Sequence, residues 1–316
     1  MHPAEGHQPD VTLLPAGEPG RLALWIRATR PQYLPTSVVP GLLGALVALG
    51  AGGTEWLLLP VALLALLLVH AATDVCNDVE DAANGVDAPD KVDNSQVFNT
   101  GLLSIEEGRR LYAALFTAAF VLGVAICLLQ GPALLSYGLV GIFGGLLYTA
   151  GPKSLKHAGL GDPAIVLLMG PLLTQGAYTA VTGDAFHAAA FWVGLSPGLL
   201  ITAVLAGNNL SDIDGDRAAG VRTLAVRIGF VRARLLYVVT LAAAFAATAL
   251  VWATGLFGPA ILLPLVLAPV AVARGRQALG ARSAGDGALL TLAPQTAQLH
   301  LLFCVLACVG VVIDRA

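Results

Sequence analysis

Eight carboxylates of this 316-residue chain crowd into two short stretches: Asp74, Asp78, Glu80, Asp81 and Asp87 in the first, and Asp212, Asp214 and Asp216 in the second. On a helix, Asp74 and Asp78 stand at i,i+4 and Asp78 and Asp81 at i,i+3, so they share a face, with His70 one step further back along it. Asp212 and Asp216 are also i,i+4 and continue a line from Asn208, whereas Asp214 points elsewhere. Carboxylates stacked this way repel one another, and a nearby membrane adds a desolvation penalty. A divalent cation relieves both. Hard oxygen ligands suit Mg²⁺, which takes one or two carboxylates together with substrate phosphates and retained waters. Two such clusters facing each other would clamp one diphosphate through two or more ions and neutralise it as it departs. Nearby Lys and Arg would hold its remaining oxygens. The bland alternative is that loops simply carry solvated acids. It accounts for Glu5, Asp10, Glu18, Glu106 and Glu107, and Ser104 with Glu107 reads as a helix-opening capping box. It accounts poorly for acids gathered at two helix ends.

The elements that must position these residues are membrane helices. The chain is 57% hydrophobic and 12% charged, where soluble domains carry roughly a quarter charged residues. The alternating short segments of a β-barrel do not occur. The pattern predicts an all-α integral membrane protein with nine transmembrane helices around a central cavity. The spans lie near residues 33–51, 57–75, 110–129, 132–150, 163–182, 187–206, 235–254, 257–273 and 296–313. The eighth carries Pro264 and Pro269 and is expected to kink. Of the 17 Lys and Arg, all but Arg315 fall before the first span or in the even-numbered loops. The positive-inside rule then puts the N-terminus and both acidic clusters in the cytoplasm of a multi-pass plasma-membrane protein. Residues 1–20 read as a flexible tail lacking the basic and apolar regions of a cleaved signal, and 21–316 as a single domain. A net charge of −3 suggests no nucleic-acid partner. Cys76, Cys127, Cys304 and Cys308 read as packing residues, with neither disulfide nor metal spacing. Asn77 precedes Asp81 by four residues at the end of span two, as Asn208 precedes Asp212 at the end of span six. This suggests a duplicated four-helix unit whose two ends meet across the cavity.

These residues resemble the UbiA superfamily of intramembrane prenyltransferases, whose pattern is an Asn-Asp-x-x-Asp loop after the second span and an Asp-x-x-x-Asp loop after the sixth. Here they are NDVEDAANGVD (77–87) and DIDGD (212–216). The spacing to Asp87 is similar to the branch of dihydroxynaphthoate prenyltransferases in menaquinone synthesis. RPQYLPTSVVPGLLG (30–44), YTAGPKSLKHAGLGDP (148–163) and NNLSDIDGDRAAGVRTLAVRIG (208–229) resemble the same branch. The likeness covers roughly residues 25–235; the last three spans match only as hydrophobic helices.

The resemblance implies Mg²⁺ held by Asp78, Asp81, Asp87, Asp212 and Asp216, with Asn77 and Asn208 orienting or completing the shell. It implies diphosphate contacts from Lys153, Arg222 and Lys91, with Lys153 and Lys156 serving equally well as topology signals, and a hydrogen bond from Tyr148 to the leaving group. An allylic cation would form in a dry site where aromatic faces stabilise it. The prenyl group would then pass to an aromatic acceptor while its tail lies among the spans against lipid. One stretch departs from the branch. In DNSQVFNTGLLS (93–104), Gln96 stands where Arg is expected and Asn99 where Gln is common, close to the substrate head groups. This departure keeps a second reading open, a membrane terpene cyclase that folds the cation onto its own double bonds. A transporter would need polar or broken helices at the midplane, and here the acids collect at helix ends. His70, His300, Gln295 and Gln298 read as interhelical hydrogen-bond partners unless they reach the cavity.

Overall fold

The computed structural model describes residues 20–52, 54–86, 95–151 and 154–315. The described residues form helices and no strands. A short amphipathic helix α1 (Arg21–Ala28) leads into α2 (Pro35–Leu46). The long helices α3 (Leu59–Ala83) and α4 (Ile105–Gln130) follow, then α5 (Ala133–Thr149) and the single turn α6 (Leu155–Ala158). The next two spans are each broken: α7 (Gly161–Leu168) with α8 (Pro171–Thr182), and α9 (Ala188–Val193) with α10 (Leu195–Ser211). Short helices α11 (Ile213–Ala218) and α12 (Leu224–Ile228) precede α13 (Phe230–Ala253), α14 (Ala268–Gly280) and α15 (Leu292–Arg315).

Among the described residues, seven helical segments are long and apolar enough to cross a membrane: Trp56–Ala83, Ile105–Gln130, Gly161–Thr182, Ala188–Ser211, Phe230–Ala253, Pro259–Gly280 and Gly287–Arg315. The first and fourth of the nine expected spans appear as shorter apolar helices. At 1.5 Å per residue, the 12 residues of α2 extend about 18 Å and the 17 of α5 about 25 Å, against a hydrocarbon core of ~30 Å. α2 shortens because the chain beyond Leu46 winds into three-residue turns, with the amides of Val47, Ala48 and Leu49 bonding to the carbonyls of Gly44, Ala45 and Leu46. The proline-bearing eighth span starts as a 3-10 segment (Pro259–Leu267) before α14. Pro264 has no amide hydrogen to give to an α-helical ladder there.

The breaks in the fifth and sixth spans are packing devices. A Cβ on Gly170 would lie 2.6 Å from the Gly194 carbonyl oxygen and 2.8 Å from Gly198 Cα, so only glycine lets these backbones touch. The same closeness ties α2 to α8, because a Cβ on Gly44 would fall 2.1 Å from the Thr174 carbonyl oxygen. Buried side chains form three clusters: one among α10, α13, α14 and α15, one among α2, α8, α9 and the end of α15, and one where α1 meets α3 and residues 97–103. Large apolar side chains such as Leu128, Leu129, Phe143, Val239 and Leu250 face outward, where lipid rather than water suits them. The expected capping box opens α4: the Ser104 hydroxyl accepts from the Glu107 amide at 3.2 Å, and Glu107 accepts from the Ser104 amide at 2.9 Å. All four cysteines are free.

Candidate active site

The last three turns of α3 carry the first cluster into the wall of a cavity of about 350 Å³. His70, Asp74, Asn77 and Asp81 recur at helical spacing and all line it. The second cluster arrives from the opposite side. α10 ends at Ser211, and α11 restarts immediately, with the Asp216 amide bonded to the Asp212 carbonyl at 2.8 Å. This places Asn208, Asp212 and Asp216 on the same cavity. Asp216 is 95% buried, accepts a hydrogen bond from the Thr223 hydroxyl at 3.3 Å, and is fixed further by the Val221 amide on its carbonyl at 2.8 Å. Asp214 is exposed and pairs with Arg217 at 3.1 Å, pointing elsewhere as its spacing predicted.

Two cations reach the same walls. Lys156 Nζ lies 2.6 Å from Asp81 Oδ2, with both side chains about nine-tenths buried or more. The single turn α6 aims it there. Ser154 caps that turn, and Gly159 at φ +72° stops it. Arg227 locks it by donating to the His157 carbonyl at 3.0 Å. The loop after the second cluster thus supports a residue serving the first. Arg30, in a left-handed backbone conformation at φ +46°, makes a forked pair with Asp78: Nη2 on Oδ1, and Nε on Oδ2 at 3.2 Å. The Ser95 amide donates to the same carboxylate at 2.9 Å.

Asp78 therefore stands differently from its neighbours. The helical stripe facing the cavity runs through Asp74, Asn77 and Asp81. Asp78 sits at one edge of it, held by Arg30 and Ser95, and is absent from the cavity lining. Tyr148 lines the cavity and is largely buried beside Gly161. Thr149 donates to Asn77 Oδ1 at 3.0 Å. Gln96 accepts from Arg27 at 3.3 Å, and neither Gln96 nor Asn99 lines the cavity. Residues 95–98 pack against α3 instead, with Val97 and Phe98 buried in the cluster beneath α1. Arg222 is exposed and away from the cavity, with its carbonyl accepting from Arg227. Asp87, Lys91 and Lys153 lie outside the described residues. Glu80 takes no part in the cavity and braces α3 against α4 through Arg109 at 3.1 Å. His300, Gln295 and Gln298 do not line the cavity, and His300 is fully buried beside Cys304. Arg30 and Lys156 are the cavity residues that the sequence underrated, since nothing in their spacing separates them from topology signals. Ser37, which also lines the cavity, lies in the stretch 30–44 that resembles the family, but nothing in its spacing marked it as a cavity residue.

The mouth thus offers carboxylates from Asp81, Asp212 and Asp216 and amide oxygens from Asn77 and Asn208. Among the described residues, no three His, Cys, Asp or Glu side chains gather closely enough to hold an ion by themselves. That donor set suits Mg²⁺, which typically takes one or two carboxylates and fills its octahedron with water and phosphate oxygens. Beyond the mouth the walls turn apolar, with Leu66, Phe120, Ile126, Leu168, Leu172 and Val204 among them.

Residues 37–293 match the family model described as the UbiA prenyltransferase family. The chain belongs to that family. It is a prenyltransferase, and it sits with the dihydroxynaphthoate branch. Over 303 residues it is 34% identical to the 1,4-dihydroxy-2-naphthoate octaprenyltransferase of Mycobacterium tuberculosis, covering 91% of this chain and 96% of that one. It is 31% identical over 296 residues to a UbiA prenyltransferase domain-containing protein 1 homolog of Drosophila melanogaster, covering 90% and 78%. Its fold is similar to that of a UbiA homolog from Archaeoglobus fulgidus solved with GPP and Mg²⁺. The TM-score is 0.66 at 17% identity, over 92% of this chain and 99% of that chain. A UbiA homolog from Aeropyrum pernix gives 0.64 at 19% identity, over 90% and 98%. The UbiA prenyltransferase fold and the outward apolar helices together make this an integral membrane enzyme.

Proposed function

We infer that this enzyme ionises an isoprenyl diphosphate with Mg²⁺ and transfers the prenyl group to a hydroxylated aromatic acceptor of the naphthoate kind. The observation that carries this reading is that both aspartate motifs border one mouth of one apolar cavity. Asp81, Asp212 and Asp216 would hold Mg²⁺, with Asn77 and Asn208 beside them and Asp87 assigned by its motif. Asp78 would join them only by releasing Arg30. When bound, Mg²⁺ would neutralise the diphosphate and stabilise it as a leaving group. Lys156 is within reach of the same mouth and would exchange Asp81 for diphosphate oxygens. The Tyr148 hydroxyl would donate to the departing oxygen. Lys91 and Lys153 would supply further diphosphate contacts by their place in the motifs, whereas Arg222 is exposed and does not line the cavity. The aromatic face of Tyr148 would stabilise the allylic cation. Phe120 and Leu135 line the cavity and are 42% and 36% exposed, which supports an opening between α4 and α5 through which a prenyl tail would reach lipid. Counting α2 and α5 as crossings gives nine in a single domain from residue 21 onward. The charge alternation supports this count and a cytoplasmic mouth. With Gln96 turned toward Arg27, head-group recognition falls to the residues of the cavity itself.

The test is turnover of purified protein with geranyl diphosphate and Mg²⁺, with and without 1,4-dihydroxy-2-naphthoate. Prenylated naphthalenediol is expected only with the acceptor, and chelation is expected to abolish it until Mg²⁺ is restored. Asp81→Asn or Asp212→Asn should lower turnover by about a hundredfold or more. A cyclic hydrocarbon formed without acceptor would instead establish a terpene cyclase, and full activity in both variants would remove the metal assignment.

A further inference from the structure

The cavity holds a second polar group that the diphosphate site does not use. One turn below Asn77 and Asp78, Asp74 Oδ2 stands 3.5 Å from His70 Nε2, and His70 Nδ1 stands 2.7 Å from the Ser37 hydroxyl on α2. All three residues line the cavity. Their exposure rises in order, from a fully buried Ser37 through 11% for the His70 side chain to 18% for Asp74, so Asp74 is the end that faces the cavity. With Asp74 ionised, the ring proton belongs on Nε2 toward the carboxylate, and Nδ1 accepts the Ser37 hydroxyl proton.

A serine–histidine contact alone would be ordinary interhelical glue between α2 and α3. It does not call for a carboxylate within an apolar span, where an ionisable group is costly and marks function. Asp74 Oδ2 is buried without a hydrogen-bond partner. The His70 imidazole beside it orients it. Asp74 precedes Asp81 by seven residues, so it sits about 10 Å deeper along the helix axis. With its reacting carbon beneath the diphosphate, a hydroxyarene would turn the hydroxyl on the adjacent carbon toward Asp74.

We propose that Asp74 is the general base that takes the acceptor's hydroxyl proton, with His70 and Ser37 as positioning residues behind it. The proposal rests on prenyl transfer to a hydroxylated ring. The C–O bond of the allylic diphosphate breaks and its electron pair leaves on the diphosphate. The ring supplies the pair that forms the new C–C bond while its hydroxyl proton passes to Asp74, leaving a ketone. If the alkylated carbon bears a carboxylate, loss of CO₂ returns the electron pair, and Asp74 gives its proton back to the oxygen. If it bears hydrogen, that proton passes to the departed diphosphate, Asp74 returns its own proton to the oxygen, and the ring regains its aromaticity.

The experiment compares wild type, Asp74→Asn, Asp74→Glu and His70→Gln in two reactions with geranyl diphosphate and Mg²⁺. One is acceptor-free release of diphosphate to water; the other is transfer to 1,4-dihydroxy-2-naphthoate and to naphthalenediols bearing electron-withdrawing groups. Asp74→Asn is expected to lower transfer kcat about a hundredfold more than release, with a smaller change in acceptor KM. The deficit should shrink as the acceptor hydroxyl becomes more acidic. Asp74→Glu should recover part of it, and His70→Gln should show the same acidity dependence with a smaller loss. Release also reports that each variant is folded. Transfer and release falling in parallel, or a deficit indifferent to acceptor acidity, would overturn the proposal. A wild-type enzyme that releases diphosphate but alkylates no hydroxynaphthalene would sink the parent reading, and this one with it.

Discussion

Replacing Arg30 by Met removes a cation while keeping the length of its stem, and it isolates the role of the pair that holds Asp78. The Asp78 side chain is 3% exposed and that of Arg30 13%. In the native protein the carboxylate accepts two guanidinium bonds and the Ser95 amide. After Arg30→Met, only the amide remains on a buried charge. Breaking a buried pair from one side costs about 3–5 kcal/mol, because the survivor is uncompensated. The remaining amide and the partial exposure of Arg30 put the expected loss at the lower end, near ~3 kcal/mol. Adding Asp78→Asn removes the stranded charge and leaves only lost hydrogen bonds, about 1 kcal/mol. The double variant should therefore regain about 2 kcal/mol over Arg30→Met, roughly a thirtyfold change in the unfolding equilibrium. Reversible unfolding in mixed detergent and SDS micelles measures all four corners of the cycle. An Arg30→Met loss below about 1 kcal/mol, or no recovery in the double variant, would refute the buried-charge account.

Two further outcomes follow from the fold. Gly44→Ala drives a Cβ to 2.1 Å from the Thr174 carbonyl oxygen and 2.6 Å from Thr174 Cα, backbone that cannot rotate away. It should destabilise by about 1–3 kcal/mol in the same unfolding assay, whereas Gly123→Ala, with no atom within 4 Å of its added Cβ, should not. For topology, Ala219→Cys beside the second motif and Thr254→Cys at the far end of α13 are both at exposed positions. A membrane-impermeant maleimide should label the first only from the cytoplasmic side and the second only from outside. The same side for both would overturn the orientation.

Much of this protein is written in local sequence. Hydrophobic run length dictates membrane helices, because unpaired backbone groups are not tolerated in lipid. Helical spacing alone puts Asp74 and Asp81 on one face, turns Asp214 away, and opens α4 with Ser104 and Glu107, since each depends only on residues within a turn or two. The motifs NDVEDAANGVD and DIDGD carry the family. What the tertiary structure decided are contacts between residues far apart in the chain, which periodicity does not encode. Arg30 and Asp78 are 48 residues apart, and their pairing draws Asp78 from the cavity stripe. Lys156 and Asp81 are 75 apart, and a one-turn helix braced by Arg227 makes that lysine part of the site. Ser37 and His70 are 33 apart, and their contact leaves Asp74 as the cavity-facing end of a polar chain. Which helix ends meet, and which side chain at a helix edge is captured by a neighbour, depends on how segments distant in the chain pack against α3.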